Sequence, residues 1–270
     1  MKRKMILVAA GICVLMMAGC ASKENDIYFS EQAIEKEDIP QEEVTDVAEE
    51  IPVEQELKEI VLNFSEIPET YAEGEAAVPL SLSIDSKEEN GIDWAYEWYE
   101  RKELSLPMIG SDWNKFYDEN YIYEWTEPDM LLISDAKETA LYCVTIPGDR
   151  WYINGNNACV EDGILYASSV LNGYATPNSC FMFAYDLNKE QLLWKSADQT
   201  YNSMNFIVKG DVILCGYGFT GEKDYLYQID KHTGRVLEKM SLDKMPDLMA
   251  EKDGKLYVHT YSYDYVISMD

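Results

Sequence analysis

Basic charge is scarce in this chain. Its 270 residues hold 22 lysines and arginines against 50 aspartates and glutamates, a formal net charge of −28. Nucleic-acid affinity rests on Lys and Arg neutralising phosphates, so no nucleic-acid partner is expected. Anionic headgroups are repelled as well, and any membrane attachment has to be hydrophobic or covalent. Histidine is scarcer still, with two copies, His232 and His259. His232 reads as a solvated turn residue. His259, with no second histidine beside it, does not make a typical zinc site. No GxSxG and no CxxC occurs. The glycines Gly216, Gly218 and Gly221 are loop residues with no helix predicted after them, which a phosphate cradle would need. No catalytic residue, metal site or cofactor is therefore expected.

What is present begins with an address. Lys2, Arg3 and Lys4 precede an apolar run over residues 5–17. That run is short for a membrane span and has the layout of a signal peptide. Met17-Ala18-Gly19-Cys20 closes it. These four residues resemble the lipobox of bacterial lipoproteins. The resemblance implies cleavage before Cys20, lipidation of its thiol and acylation of the new N-terminus. Two or more acyl chains anchor stably where one does not. The expected location is the outer face of a bacterial cell membrane.

An acidic stretch follows. Residues 24–75 carry 18 acids opposed by Lys36 and Lys58 alone, and they include Pro40, Pro52 and Pro68. Such a segment buries too little apolar surface to offset the entropy of ordering. Residues 20–76 thus read as the lipidated N-terminus and a mostly disordered acidic linker, with 77–270 as the folded domain. Within the linker, Val53, Leu57, Ile60, Val61 and Phe64 have helical spacing and predict a short helix over 53–64.

The folded part repeats. "ACVEDGILYASS" (158–169), "FIVKGDVILCGY" (206–217) and "LMAEKDGKLYVH" (248–259) each place a charged turn between two apolar runs. A third run ends on an aspartate in each: Asp186, Asp230 and Asp270. In the first two a fourth run follows, at 191–196 and 235–240. Asp230 suits a cap on turn amides, and Gly234 suits the positive φ of a short hairpin. A shorter upstream unit takes in 121–129, 130–134, 140–146 and 150–154. Antiparallel four-stranded units repeated every 40–50 residues predict an all-β fold, a small or incomplete β-propeller. The last unit stops after its third strand. An N-terminal strand such as 78–84 can complete it; otherwise an edge stays open.

The motifs Asp162-Gly163-Ile164-Leu165-Tyr166, Leu226-Tyr227-Gln228-Ile229-Asp230, Thr233-Gly234-Arg235-Val236-Leu237 and Leu193-Trp194 resemble the PQQ-like (quinoprotein-type) β-propeller repeat over about residues 119–270. That family includes enzymes and non-catalytic scaffolds. A quinone-dependent redox enzyme would need a calcium site, a catalytic Asp and a Trp stacked under the cofactor, and no such set is assembled here. Cys143, Cys159, Cys180 and Cys215 fall in or beside strands and read as small buried hydrophobes. Spacing excludes neither a disulfide nor a free thiol.

One aromatic cluster carries a sharper hypothesis. Trp94 and Trp98 are four apart, on one face of a predicted helix, and Trp113 and Tyr261 are candidates to join them. They could form a surface for a glycan or a peptide. The alternative is that the rings pack the helix and first blade onto the propeller. The function expected is a non-catalytic binding or scaffold lipoprotein with an unknown protein or glycan partner. The alternatives are a PQQ-type redox enzyme and a binder of cell-wall glycan.

Overall fold

The structure, a computed structural model, describes residues 56–65, 67–91, 95–109, 112–146, 157–170, 179–219 and 221–270. The leader, Cys20 and the expected strand at 150–154 lie outside them. Val53–Asp270 form one compact unit.

In chain order the described elements are β1 (Lys58–Val61), β2 (Leu82–Glu89), α1 (Ala95–Arg101), β3 (Met108–Ile109), β4 (Asp112–Tyr117), β5 (Tyr121–Glu127), β6 (Met130–Asp135), β7 (Ala140–Thr145), β8 (Ala158–Glu161) and β9 (Ile164–Ser169). They continue with β10 (Phe181–Asp186), β11 (Gln191–Lys195), β12 (Ile207–Lys209), β13 (Val212–Tyr217), β14 (Asp224–Asp230), β15 (Val236–Leu242), β16 (Pro246–Lys252), β17 (Lys255–Thr260) and β18 (Tyr263–Met269). Four sheets result, and they are the blades of a β-propeller. Blade 1 runs β1-β7-β6-β5-β4-β3, blade 2 β11-β10-β9-β8, blade 3 β12-β13-β14-β15 and blade 4 β16-β17-β18-β2.

Alternation along the strands assigns each face to one neighbour. Phe181, Phe183 and Tyr185 of β10 enter a core shared with blade 1. Met182 and Ala184, between them, enter a core shared with blade 3. Blade 3 meets blade 4 through Val212, Leu214 and Leu226 against Met249, Val258 and Ile267. Strands sandwiched between two sheets bury both faces, which is why "FMFAYD" is apolar without interruption. The far face of blade 4 meets α1, through Leu248 and Ala250 against Trp98 and Leu104. All four cysteines that follow β1 are free thiols. Cys180 and Cys215 are buried in the core between blades 2 and 3.

The repeated turns have the chemistry their residues suggest. Asp162-Gly163 and Asp253-Gly254 both hold positive φ, at 52° and 77° and at 53° and 73°. That is the pattern of a two-residue hairpin turn matched to strand twist. Asp230 accepts from the amides of His232 and Thr233. Gly234 sits at φ 77° for a second reason. Trp194 of blade 2 donates its indole N–H to Lys231 O at 2.9 Å, and its ring lies where a Cβ on Gly234 would fall, 2.6 Å away.

The final blade is completed from the N-terminal side. β2 pairs antiparallel with β18, from Met269↔Leu82 to Tyr263↔Glu89, and Ser81 and Asp270 exchange backbone hydrogen bonds. The completing strand is thus 82–89, a few residues beyond the expected 78–84. Residues 85–118 supply the rest of β2, α1 and the β3–β4 hairpin at the edge of blade 1.

Two expectations need correction. Residues 58–61 form a strand parallel to β7 and not a helix. Ile60, Leu62 and Phe64 are buried while Glu59, Val61 and Asn63 are exposed. The period is two, and the apparent helical spacing came from counting the exposed Leu57 and Val61 as core. The residues assigned to a disordered linker up to 76 are also part of the fold from 56 onward. Thr70 exchanges backbone hydrogen bonds with Lys195 of blade 2, and the Ala72 amide donates to Thr233 O. The Ala77 amide donates to Asp230 Oδ2, and Leu80 exchanges two bonds with the Gln228 side chain of blade 3. With β1 on blade 1 and β2 on blade 4, residues 58–89 form a belt tied to all four blades in order.

Burying three large apolar side chains contributes roughly 5 kcal/mol, a large share of the 5–15 kcal/mol typical of a whole domain. A chain shortened to begin at Val78, which lacks Ile60, Leu62 and Phe64, is expected to lose cooperative thermal unfolding that a chain beginning at Glu56 keeps. Gly234→Ala is expected to cost on the order of 2–3 kcal/mol by denaturant unfolding, from strain and overpacking together. Gly210→Ala, at φ 59° with nothing within 4 Å, should cost only the backbone part, about 1 kcal/mol.

Candidate functional site

A group of polar side chains drawn from separate elements lies where α1 covers blade 4. His259, next to last in β17, faces Asp264, the second residue of β18. The turn between them is fixed by Thr260, whose Oγ1 accepts from the Tyr263 amide. Asp264 Oδ1 lies 2.7 Å from His259 Nδ1. Asn90, just past β2, donates through Nδ2 to Asp264 Oδ1 and to Thr260 O. From α1, Arg101 Nη2 reaches Asp264 Oδ2 at 2.8 Å, with Lys102 Nζ behind it at 3.5 Å. Trp98 closes the group, its ring centroid 5.4 Å from that of His259. His259 is 6% exposed, Asp264 3% and Trp98 0%.

The electrostatics of this group follow from burial and donors. Burial alone would raise the Asp264 pKa. Hydrogen bonds from His259, Asn90 and Arg101, with the histidine's charge, outweigh it and hold the carboxyl well below the usual carboxylate range. Asp247 differs. It sits at a bulge in the β16–β17 pairing, between Pro246 and Leu248, and among the described residues no hydrogen bond supports its carboxylate. Burial pushes it up to about 6, His259 pulls the other way, and Asp224 adds to the rise. The arrangement orients an imidazole on the Asp264 carboxylate and covers it with an indole. Asn90 Nδ2 lies 3.2 Å from the same ring nitrogen, Nδ1, that Asp264 holds. The group pins α1 to the blade.

The sequence-predicted candidates separate. Met17, Ala18, Gly19, Cys20 and Trp94 lie outside the described residues. Trp113 is in β4 by its backbone. Tyr261, at the tip of the β17–β18 turn, is 68% exposed. Trp98 leaves the proposed binding surface, because its ring is spent on Tyr99, His259 and the blade 4 core. His232 is a turn residue, with Nε2 2.9 Å from Asp211 Oδ1. Asn90, Arg101 and Asp264 were missed. Their meeting depends on β2 pairing with β18, which no local pattern announces.

The described residues do not assemble a site for a quinone with calcium. Trp194, the tryptophan of the repeat, is fully buried and committed to the joint between blades 2 and 3. Among the described residues no three acids, histidines or cysteines form a set that could hold a metal ion.

No family model and no curated protein matches the chain. Among solved structures it is similar to BamB from Moraxella catarrhalis, at 11% identity over 56% of each chain with a TM-score of 0.35. It is similar to a quinohemoprotein alcohol dehydrogenase from Pseudomonas putida HK5, at 12% identity over 66% of this chain and 30% of that one, TM-score 0.41. Hydrazine synthase of Kuenenia stuttgartiensis gives 13% identity over 52% and 40%, TM-score 0.39. The chain spans little more than half the length of the first of these and less of the others. At these values no activity transfers to it.

Asp247 makes stability depend on pH. Its folded pKa exceeds the unfolded value of about 3.9, so the folded state binds more protons between about pH 4 and 6. Stability from this group therefore falls as pH rises through that window. Asp247→Asn is expected to raise stability at pH 7.5 by about 1–2 kcal/mol, after discounting for partial exposure, and to change it little at pH 4.5. Chemical denaturation at the two pH values measures both.

Proposed function

We infer that this chain is a lipid-anchored binding scaffold, displayed on the outer face of a bacterial membrane. The observation that carries the reading is the N-terminal run ending in Met17-Ala18-Gly19-Cys20. An acidic stretch separates that anchor from a rigid propeller whose loops come from several blades. Among the described residues no helix is long and apolar enough to cross a membrane, and the reading needs none. The buried groups favour binding over catalysis. His259 is sealed and Trp194 serves a joint, so interaction is left to loops such as the β17–β18 turn that exposes Tyr261. The excess of acids favours neutral or cationic partners, whether protein or glycan.

Cys20→Ser tests the anchor. The natural chain should incorporate labelled fatty acid and sediment with membranes, and intact cells should yield it to external protease. The variant should take up no label and leave the membrane fraction. A variant that stays membrane-bound, or a natural chain that takes up no acyl label, would sink the reading.

A further inference from the structure

Blades 2 and 3 each have both faces covered by neighbouring blades, and blade 4 lies between blade 3 and α1. Blade 1 differs. It sends Tyr123, Leu131, Ile133 and Val144 into the core shared with blade 2. The alternate residues point the other way. The register sets them in a row across five strands: Lys115, Glu124, Leu132, Cys143 and Glu59. Tyr117 and Ile122 pair on one side of that row, and Val61 lies on the other. None of these side chains belongs to a hydrophobic core among the described residues. Val61 is 77% exposed and Tyr117 45%, while Ile122, Leu132 and Cys143 are half-buried.

The row is self-complementary. Lys115 stands at one end, Glu59 at the other and Leu132 on the middle strand. Among the described residues Lys115 has Glu124 for a partner at 3.8 Å, a long contact that leaves donor capacity for a second carboxylate. A two-fold axis parallel to β6 sets Leu132 against Leu132 of the partner subunit. The same axis places Lys115 over Glu59 of the partner subunit, twice. We propose that the outer face of blade 1 is the interface of a two-fold homodimer, packed sheet on sheet across Leu132.

Size and charge set the strength expected. Five strands about 4.8 Å apart and about six residues long span on the order of 24 by 20 Å. Two such faces total about 1,000 Å² in projection, at the lower limit for a specific interface. A micromolar association is expected. The net charge of −28 on each copy repels over long range, and the Debye length falls to about 8 Å at physiological salt. Association should therefore strengthen from low to physiological ionic strength.

The test uses the full chain in density-matched detergent, by sedimentation at about 10–100 µM, the range a micromolar contact of this size requires. The natural chain should sediment as a dimer, and Leu132→Glu as a monomer with an unchanged melt. Lys115→Glu and Glu59→Lys should each weaken association on the order of fivefold, and together restore it. That rescue separates the contact from misfolding. Leu132→Cys should give a disulfide-linked dimer on mild oxidation, and Val78→Cys should not. A monomer across the range overturns the proposal. Where Leu132→Cys is then also protected from alkylation, the face is covered by a segment of the same chain. Undiminished dimerisation by Leu132→Glu overturns it too, and moves the contact elsewhere.

Discussion

The pairing of β2 with β18 is the constraint on which the rest of the structure depends. It joins residues nearly two hundred positions apart, and it closes all intervening blades into one loop of chain. Closing so long a loop costs entropy, but the cost grows only with the logarithm of its length. Seven paired residues and the Ser81–Asp270 bonds offset it locally. The same pairing delivers Asn90 to Asp264 and starts the segment that lays α1 over blade 4. Without it, His259 would face water, and the last blade would end in an open edge of unpaired backbone groups. Contacts this distant in sequence form late in folding, so the final blade and the helix that caps it are expected to assemble after the blades between.

The buried group at α1 shows how such a joint is held. Two cations at the end of the helix, Arg101 and the following Lys102, converge on one carboxylate, which already accepts from a histidine and an amide. Breaking a buried pair by removing one partner costs far more than the pair contributes against an apolar substitute. The group therefore specifies where the helix sits more than it adds to stability. Asp247 points to the same trade. A carboxylate raised by burial at a strand bulge is a cost that a purely structural sheet avoids, and bulges concentrate where a fold re-aims a side chain.

Much of this architecture was legible in the sequence, for a physical reason. Turns such as Asp162-Gly163 and Asp230 to Gly234 are local, and their residues are chosen by φ and by amide capping. Apolar runs such as 181–186 and 212–217 are uninterrupted because blades 2 and 3 are covered on both faces. β1 was misread because helical and strand spacing coincide at Ile60 and Phe64, and only the burial of Leu62 separates them. The belt was missed because its ties are backbone bonds and single side chains, Gln228 and Asp230, which leave no hydrophobic signature on residues 70–81. Composition described that stretch as unable to fold by itself. It folds because blades already built supply its partners. The candidate site was hardly legible. His259 was singled out as an isolated histidine, while its partners arrive from β2, α1 and the next strand. Trp98 looked like a surface aromatic only because its burying surface was not yet in view.

Charge brings these threads together. The described basic side chains are largely engaged at home: Lys58 with Glu190, Lys87 with Asp243, Lys209 with Glu251, Lys231 with Glu161 and Lys255 with Asp85. Exposed pairs of this kind contribute little to stability, but they remove the few cations from the outward surface and leave the acids to set its field. Such a surface steers cationic and neutral partners and keeps copies of the chain apart at long range. A contact between copies then has to be apolar at its centre and sheltered from that field by salt. The outer face of blade 1, with Leu132 at its middle and one cation at its margin, has that composition; the loop-bearing ends of the blades, where Glu222, Asp224 and Asp247 gather, do not.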